Sequence, residues 1–333
     1  IKKKIIINLT EDWFFISHFL SRAIDAEKAG YDIYVSCNET TNRKFIESNK
    51  IKFIPLSIDR KSINPFYEFY TLLKYCYIFY KINPDIVHNV GTKPIIYGSI
   101  AAKLINVKSV INAPIGMGFV FSSSNIKAKV LKKILLFLLR ITLNHHHGGE
   151  KKNRVIFENS DDMNFFIKKK FVNKSETRLI RGAGVEIDYE FFKRQQNKPV
   201  TISLVARMLK DKGIYEFVDA VRILRKRNLD CRFLLIGDID SKNPTSLKSN
   251  ILKQWHEEKI IEWLGWVKDV KTILLDTDIL CLPSYREGLP KSLLEGAAVG
   301  LPLVTTNTVG CREVVIDGLN GYLVPVKDPI NLA

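Results

Sequence analysis

Short runs of apolar residues alternate with longer stretches of helical spacing along most of the chain. The N-terminal half has four such runs, and a second series of them begins near residue 195. Runs of this kind are typical of strands that are buried on both faces of a parallel sheet. The predicted strands occupy residues 4–9, 31–37, 85–90 and 109–114 in the first series, and 195–208, 231–238, 261–267, 278–284 and 302–306 in the second.

The spacing between these runs predicts helices, and two successive series predict two domains. Residues 15–30 have helical spacing, with Gly30 placed as the C-cap. A length of 333 residues exceeds one ordinary core. We therefore expect two doubly wound α/β domains that face a central cleft lined by the carboxyl ends of both sheets.

The domain boundary is expected in the polar segment 182–198, which contains glycines and leads into a proline. This gives domains at residues 1–185 and 186–333. The closing residues DPINLA predict a helix that is only beginning, with Asp328 as N-cap and Pro329 at the first position. We expect the final crossover helix to be cut short.

The stretch 283–306 has candidate binding chemistry. Pro290 is placed as the first residue of a helix that ends near Gly300, and the amides from Leu289 to Ser292 would form an anion site suited to a diphosphate. Glu287 precedes this helix and Glu295 lies within it. Carboxylates accept hydrogen bonds from hydroxyls, so a hexose near Glu287 and a ribose near Glu295 are expected, unless these are a capping acid and a surface acid.

Two cations follow the first strand of the second series. Arg207 comes directly after it, and Lys212 lies five residues later. Both side chains are expected to turn toward the same helix N-terminus, where they would neutralise a diphosphate leaving group.

Five stretches of the C-terminal half carry a resemblance: SLVARMLKDKGI, LLIGD, WLGWVKDV, CLPSYREGLPKSLLEGAAVGLPLVTT and GCREVVIDGLNGYLVP. Together they resemble the donor domain of glycosyltransferase family 4, a retaining, nucleotide-sugar-dependent family with the GT-B fold. The resemblance implies that Arg207 and Lys212 hold the donor diphosphate, that Glu287 lies by the donor sugar, and that Glu295 binds the ribose. It also implies donor contacts from Gly288, Leu289, Pro290, Lys291 and Ser292, and nucleobase contacts from backbone groups of Trp266 and Val267.

The N-terminal half resembles bacterial enzymes that build O-antigen, capsule or related lipid-linked glycans, in residues 84–104, 112–123 and 154–166. A glycine-rich turn at Gly116 and Gly118 would let the backbone approach the donor closely. It is not a dinucleotide fingerprint, because Phe121 occupies the third glycine position. His88, placed at a strand end, is a candidate contact to the acceptor or the transferred sugar, with a structural role as the alternative. His18 and Lys93 are weaker acceptor candidates.

Charge adds a second question about partners. The formal net charge is +16 and the pI is about 9.5, which indicates a polyanionic partner or simply a lysine-rich composition. Residues 125–140 mix cations with apolar residues at helical spacing, as in a helix lying on an anionic bilayer or a core helix with a basic outer face. The aromatic residues of 64–84 fall at helix-core spacing, which disfavours nucleic-acid binding.

Metal and disulfide chemistry is not expected. The five cysteines, at positions 37, 76, 231, 281 and 311, form no C-x-x-C pair and are interpreted as free thiols, mostly in apolar surroundings. Three adjacent histidines, at 145–147, cannot all face one ion on a regular element and indicate a solvated loop. The D-T-D at 276–278 is interpreted as a helix end and strand start, not as a metal-binding D-x-D motif.

Together these features predict a retaining GT-B glycosyltransferase without cofactor or metal. It would move a hexose or N-acetylhexosamine from a UDP-sugar to a hydroxyl of a glycan on polyprenyl diphosphate, at the inner face of the cytoplasmic membrane. The resemblance implies same-face attack, in which the leaving phosphate takes the acceptor proton. The alternatives are a GT-B epimerase, a phosphorylase, and a basic nucleic-acid-binding protein.

Overall fold

The chain folds into two compact units, residues 1–183 and 184–333, where the sequence placed the boundary after residue 185. The computed structural model describes residues 2–60, 62–115, 126–143, 152–185, 187, 199–241 and 243–333. Each unit contains one sheet in which all described strand pairs are parallel. The predicted class of two doubly wound α/β domains is confirmed.

The N-terminal unit has a seven-stranded sheet in the order β3-β2-β1-β4-β5-β6-β7. Its strands are β1 (Lys4–Glu11), β2 (Asp32–Asn38), β3 (Lys52–Pro55), β4 (Ile86–Val90), β5 (Ser109–Ala113), β6 (Lys152–Phe157) and β7 (Thr177–Leu179). Its helices are α1 (Asp12–His18), α2 (Leu20–Lys28), α3 (Arg43–Ser48), α4 (Pro65–Ile82), α5 (Thr92–Leu104), α6 (Ile126–Leu143) and α7 (Ser160–Lys168).

Both faces of this sheet are covered, which explains the continuous apolar runs. Successive side chains of a strand point to opposite faces. Ile7 of β1 accordingly packs in the cluster that contains Phe15 and Phe19, whereas its neighbour Ile6 packs with Tyr75 and Phe79 of α4. Each strand therefore needs apolar residues at both odd and even positions.

A row of buried polar side chains crosses the same sheet at one register. Ser36, Asn8, Asn89 and Asn112 stand opposite one another on β2, β1, β4 and β5. Ser36 Oγ donates to Asn8 Oδ1 over 2.6 Å, Asn8 donates to Asn89 over 2.8 Å, and Asn89 donates to Asn112 over 3.0 Å. A shift of one strand would break these bonds inside the core, so the row helps to fix the register.

The predicted helix at residues 15–30 is two helices in the structure. The chain leaves helical geometry at Phe19, with φ −128° and ψ −16°, between α1 and α2. Phe19 is buried in the core, so the break turns its ring toward the sheet. Gly30, at φ +92°, lies directly after the C-cap residue Ala29 in a conformation that favours glycine.

The C-terminal unit has a six-stranded sheet in the order β10-β9-β8-β11-β12-β13. Its strands are β8 (Val200–Val205), β9 (Cys231–Ile236), β10 (Glu262–Gly265), β11 (Ile279–Leu282), β12 (Leu303–Thr306) and β13 (Gly321–Val324). Its helices are α8 (Ile214–Lys226), α9 (Ser249–Glu257), α10 (Val270–Leu275), α11 (Lys291–Ala298) and α12 (Pro329–Leu332). The Asp328 side chain caps α12 by accepting from the Asn331 amide, as predicted.

The D-T-D sequence has the structural role that was predicted. Asp276 is the C-cap of α10, and Asp278 directly precedes β11. The Asp278 carboxylate accepts from the Thr201 amide over 2.8 Å, and the Thr277 hydroxyl lies 2.7 Å from that of Ser203. Within the described ranges, no group of three or more His, Cys, Asp and Glu side chains is arranged to hold a metal ion.

Two sequence interpretations concern helix surfaces. In α4, Tyr75, Ile78 and Phe79 are buried, but a second apolar row of the helix is exposed, so the predicted helix-core spacing holds for only part of its aromatic residues. In α6, Leu139 and Leu143 are buried, whereas Phe137 is exposed.

None of the helices in the described part of the chain combines the length and apolar character needed to span a bilayer. All five cysteines are free, and three of them, Cys37, Cys281 and Cys311, are buried. The histidine run at 145–147 lies outside the described residues.

Candidate active site

The candidate site of the C-terminal unit lies where the strand order reverses. Strands β8 and β11 are neighbours in the sheet although two strands separate them in sequence. The chain leaves such neighbours toward opposite faces, which opens a crevice at their carboxyl ends. The segments that follow β8 and β11 therefore carry the residues that can reach a ligand there.

The segment after β8 is a tight turn fixed to the segment after β11. Residues 210–212 form a 3₁₀ turn, followed by Gly213 at φ +72°. The Asp211 carbonyl accepts from the Tyr285 amide over 2.9 Å and from the Ser284 hydroxyl over 3.0 Å. A Cβ on Gly213 would lie 2.1 Å from the Pro283 carbonyl oxygen. The position of Lys212 is thus set by backbone packing against the β11 segment.

Lys212 and Glu287 form an ion pair across these two segments. The Lys212 Nζ atom lies 2.5 Å from Glu287 Oε1 and 2.7 Å from Oε2, and the two side chains are only 20% and 11% exposed. The Glu287 amide donates to the Val309 carbonyl, and Gly310 packs so closely that a Cβ there would lie 2.6 Å from the Glu287 and Gly288 carbonyl oxygens. The sequence placed both residues near one donor but did not predict that they bind each other.

The helix that follows begins one residue later than predicted. Pro290, at φ −72° and ψ 111°, is the N-cap of α11 rather than its first helical residue. Its carbonyl accepts from the Leu293 and Leu294 amides, and proline has no N–H of its own. An α-helix cannot bond its first amides internally, so the predicted anion site reduces to the N–H groups of Lys291 and Ser292, with Leu289 outside the helix.

Arg207 is held by a different carboxylate. It is the second residue after the carboxyl end of β8, and its Nη1 atom lies 2.6 Å from Oδ2 of Asp240, in the loop after β9. The Met208 amide donates to the Asp238 carbonyl, which ties the same two segments together. The structure thus brings Lys212 to Glu287 and Arg207 to Asp240, each at the carboxyl edge of the sheet.

Binding of the ribose by Glu295 and contact of Trp266 with the nucleobase remain predictions. Glu295 lies in the second turn of α11, where burial raises the pKa of its carboxyl and the Lys291 ammonium, 3.5 Å away, partly offsets this. Trp266 follows Gly265, which is at φ +67°, and its side chain is 70% exposed. Val267 comes next and is half-buried.

The N-terminal unit has a small pocket at the carboxyl edge of its own sheet. Polar residues that line it include His18, Arg22, His88 and Glu158. His88 lies in the middle of β4, not at its end, which corrects the predicted placement. Its ring meets Phe19 edge to face, and Arg22 donates to the Gly182 carbonyl. His18 stacks on Phe14, and its Nδ1 atom lies 2.6 Å from the Ser17 hydroxyl.

The His88 imidazole is neutral at pH 7 in this setting. Its Nε2 atom is buried and has no partner among the described residues. Burial lowers its pKa from 6.5 to about 4, with a further lowering by the nearby Arg22 charge. A neutral imidazole can exchange a hydrogen bond with a hydroxyl through such a nitrogen, so contact between His88 and a sugar stays a prediction.

We expect His88 to make the fold acid-sensitive. Because its folded pKa of about 4 lies below 6.5, the unfolded chain takes up this proton first as the pH falls. His88 therefore leaves the free energy of unfolding unaffected above pH 6.5. Between pH 6.5 and pH 4 that free energy falls progressively, by up to roughly 3 kcal/mol. His88→Gln should flatten the fall of the thermal unfolding midpoint in this window. An NMR titration of His88 with a midpoint near 6.5 would contradict the expectation.

Two further N-terminal predictions have different outcomes. The Lys93 ammonium donates to the carbonyls of Asp59 and Ser62 over 2.7 and 2.8 Å and to Glu68 Oε1 over 2.5 Å. An ammonium has three protons, so these three contacts engage all of them and tie Lys93 to its neighbours, which disfavours the predicted contact with the acceptor. Gly116 and Gly118 lie outside the described residues.

Both halves of the chain match models of known families. Residues 199–333 match the family described as glycosyl transferases group 1. Residues 4–147 match the family described as glycosyl transferase 4-like. The chain belongs to the glycosyltransferases.

Two relatives of this glycosyltransferase have names that specify a sugar linked to diphosphoundecaprenol as acceptor. It is 26% identical to an Escherichia coli UDP-Gal:alpha-D-GlcNAc-diphosphoundecaprenol alpha-1,3-galactosyltransferase over 90% of this chain and 77% of that protein. It is 24% identical to the N,N'-diacetylbacillosaminyl-diphospho-undecaprenol alpha-1,3-N-acetylgalactosaminyltransferase of Campylobacter jejuni over 96% of this chain and 84% of that protein.

The likeness to solved structures establishes the GT-B fold of this glycosyltransferase. Anabaena Alr3699/HepE, solved in complex with UDP and glucose, superposes with a TM-score of 0.72. The match covers 98% of this chain and 87% of that chain, at 15% sequence identity.

Sequence reasoning about this glycosyltransferase missed two charged residues beside its candidate sites. Asp240, the partner of Arg207, follows the strand that contains LLIGD, and Arg22 lies on α2 beside His88. Polar residues that closely follow a parallel strand gather at the sheet's carboxyl edge, so Asp240 could have been found by that signal. Arg22 gave no such signal, because one arginine on an amphipathic helix is ordinary.

Proposed function

We propose that this glycosyltransferase moves a hexose or N-acetylhexosamine from a UDP-sugar to a hydroxyl of a glycan carried on polyprenyl diphosphate, with retention of configuration. The names of the two relatives support a lipid-diphosphate-linked acceptor, and one of them names a UDP-sugar donor. The UDP and glucose in the HepE complex support the same class of donor.

The observation that carries the proposal is the Lys212–Glu287 pair beside the start of α11. It joins the segments after β8 and β11, where ligands bind in open α/β sheets. The two Glu287 oxygens engage two of the three ammonium protons, which leaves one for a phosphate oxygen. A donor diphosphate would add this contact to the N–H groups of Lys291 and Ser292.

In the proposed sugar transfer, these groups would stabilise the departing diphosphate. The bond between the sugar C1 and the phosphate oxygen breaks, and negative charge grows on that oxygen. Lys212, Arg207 and the α11 amides would oppose this charge. The acceptor hydroxyl forms the new C1–O bond on the same face and passes its proton to the departing phosphate. Glu287, held by Lys212, would accept a hydrogen bond from a sugar hydroxyl rather than attack C1.

Arg207, Lys212 and the N-terminus of α11 would allow the reaction to proceed without a metal ion or other cofactor. Two side-chain cations and a helix N-terminus supply the positive potential that a divalent ion would otherwise bring to a diphosphate. We expect turnover to be unaffected by a chelator such as EDTA.

The proposed location is the inner face of the cytoplasmic membrane, with peripheral contact to anionic lipid and no nucleic-acid partner. In α6, Ile134, Phe137 and Ile141 are exposed at spacings of three and four residues, which places them on one side of the helix. Lys133 and Arg140 are also exposed. This combination suits a helix that rests on a charged interface.

A panel of nucleotide sugars tests the donor. Because a ligand that binds only the folded chain stabilises it by mass action, a true donor at 100-fold excess over its Kd adds about 2.7 kcal/mol. We expect UDP-galactose or UDP-N-acetylgalactosamine to raise the thermal unfolding midpoint more than GDP- or CDP-sugars do.

The selected donor is then incubated with a polyprenyl-diphosphate-linked sugar, with and without EDTA. An α-linked product from an α-linked donor, formed in both conditions, is the expected result. Conversion of the donor without any acceptor would favour an epimerase. Salt-dependent DNA binding with no stabilisation by any nucleotide sugar would overturn the proposal.

A further inference from the structure

Helix α4 is apolar on two opposite sides. One side packs into the core through Tyr75, Ile78 and Phe79. The other side carries six large apolar residues that are between 49% and 85% exposed: Phe66, Phe69, Tyr70, Leu73, Tyr77 and Tyr80. We call these six residues the outward row.

The outward row is continuous along the helix. Its members recur at intervals of three and four residues, and at 100° per residue they fall within an arc of roughly 100°. The 18 residues of α4 extend over about 27 Å at 1.5 Å per residue. Single exposed apolar side chains are ordinary on a protein surface, but a row of six on one helix marks an interaction site.

Two lysines of α4 line one edge of the outward row, and α4 itself contributes no acid to it. Lys74 Nζ lies 4.5 Å from the centre of the Tyr70 ring, and Lys81 Nζ lies 5.7 Å from that of Tyr77. The one acid of α4, Glu68, is turned away from this face and bonds Lys93 and the Tyr97 hydroxyl. The exposed side of α4 therefore consists of aromatic and aliphatic surface edged by positive charge.

We propose that the outward row of α4 docks onto an anionic lipid bilayer, with its rings at the boundary between headgroups and acyl chains. Tyrosine suits this boundary because its ring is apolar and its hydroxyl is polar. Lysines extend their ammonium groups to the headgroups while their stems cover apolar surface. The net charge of +16 draws the whole chain toward the same surface.

The charges favour a bilayer over other occupants. In a symmetric dimer, the same patch faces itself, so no acid of the patch would pair with Lys74 or Lys81. Single-stranded nucleic acid needs a cationic groove that follows the backbone, whereas this face has six apolar side chains and cations only along one edge. Anionic headgroups match the lysines, and the acyl boundary matches the rings.

The docking surface is distinct from that of α6 and deepens the proposed function. Both α4 and α6 contact α5, so the two helices belong to one layer of the N-terminal unit. This inference rests on the proposed function: docking through the outward row would bring the enzyme to an acceptor that is itself held in the bilayer. Vesicle binding can be measured without donor or acceptor, so failure of docking and failure of the transferase assignment are distinguishable.

Sedimentation with vesicles tests the proposal. We compare the wild-type chain with the double variant Phe69→Ser/Tyr77→Ser on vesicles of equal parts phosphatidylglycerol and phosphatidylcholine. Binding should weaken about tenfold or more, because two anchoring rings are lost. Lys74→Gln and Lys81→Gln should each weaken binding about fivefold on these vesicles and leave binding to pure phosphatidylcholine vesicles unchanged.

A matched control removes the same number and type of rings at positions outside the outward row. Phe45 on α3 and Tyr322 on β13 are also exposed, and Phe45→Ser/Tyr322→Ser should bind vesicles as the wild type does. Both double variants should turn over a water-soluble acceptor at wild-type rates. On a vesicle-embedded acceptor, only Phe69→Ser/Tyr77→Ser should lose activity.

Three results would overturn the proposal. The first is equal vesicle binding by both double variants and the wild type. The second is a wild-type dimer in light scattering that Phe69→Ser/Tyr77→Ser converts to a monomer while vesicle binding stays intact. The third is a loss of single-stranded DNA binding in that variant with no change on vesicles.

Discussion

Lys212→Ala should lower kcat by about 10²- to 10³-fold, the range found when one preorganised donor to a developing charge is removed. Lys212 is the largely buried cation that joins the segments after β8 and β11. Its loss would also leave the Glu287 carboxylate, which is only 11% exposed, unpaired beside the negative diphosphate. KM for the donor should rise as well. Steady-state kinetics with the donor found by thermal stabilisation measures both constants.

Lys210→Ala is the matched control for this prediction. Lys210 stands in the same 3₁₀ turn, two residues away, but its side chain is exposed. It should keep near-wild-type turnover, and both variants should unfold within a few degrees of the wild type. Wild-type turnover in Lys212→Ala, or an equal loss in both variants, would contradict the assigned role of Lys212.

Most strands that sequence reasoning found are covered on both faces, and the edge strand β10, in which Leu264 is exposed, is an exception. The strand β1 contains Ile6 and Ile7, which pack on opposite sides of the sheet, so its apolar run is unbroken. The missed strands lack such runs. Strand β3 has only four residues and ends in Pro55, β6 includes Asn153 and Arg154, and β13 exposes Tyr322. Neighbouring strands, rather than their own composition, hold these segments in the sheet.

The outward row of α4 shows a different limit of the sequence. Residues 64–84 contain apolar positions on nearly every side of a helix, so periodicity alone cannot tell which row faces the sheet. The choice depends on the partners that a helix meets, here Ile6 and Val87 of the strands and Ala101 of α5. The sequence therefore predicted the helix correctly and its surface incorrectly.

The sequence predicted which residues lie in the candidate site, but not which of them bind each other. Residues that follow neighbouring parallel strands must gather at one edge of the sheet, which is why Arg207, Lys212 and Glu287 could be named in advance. Pairing depends on backbone detail that only the fold supplies. The approach of Gly213 to Pro283 places Lys212 beside Glu287, whereas Arg207 meets Asp240. Lys93 gave the same sequence signal and proved to be a structural tie.

Gly213→Ala should impair both stability and turnover. At φ +72°, an L-residue is strained by about 1 kcal/mol. The new Cβ would also lie 2.1 Å from the Pro283 carbonyl oxygen, so the turn that contains Lys212 must move away from the β11 segment. We expect a total destabilisation of about 3 kcal/mol or more, seen as a lower urea midpoint, together with a fall in kcat because Lys212 moves relative to Glu287.

Gly318→Ala is a control that introduces the backbone strain of Gly213→Ala without its steric clash. Gly318 has nearly the same backbone angle, φ +74°, but a Cβ there meets nothing within 4 Å. It should therefore show only the loss of about 1 kcal/mol from the left-handed conformation and keep wild-type kcat. If Gly213→Ala and Gly318→Ala were equally stable and equally active, the close contact between the Lys212 turn and Pro283 would not be what positions the Lys212–Glu287 ion pair.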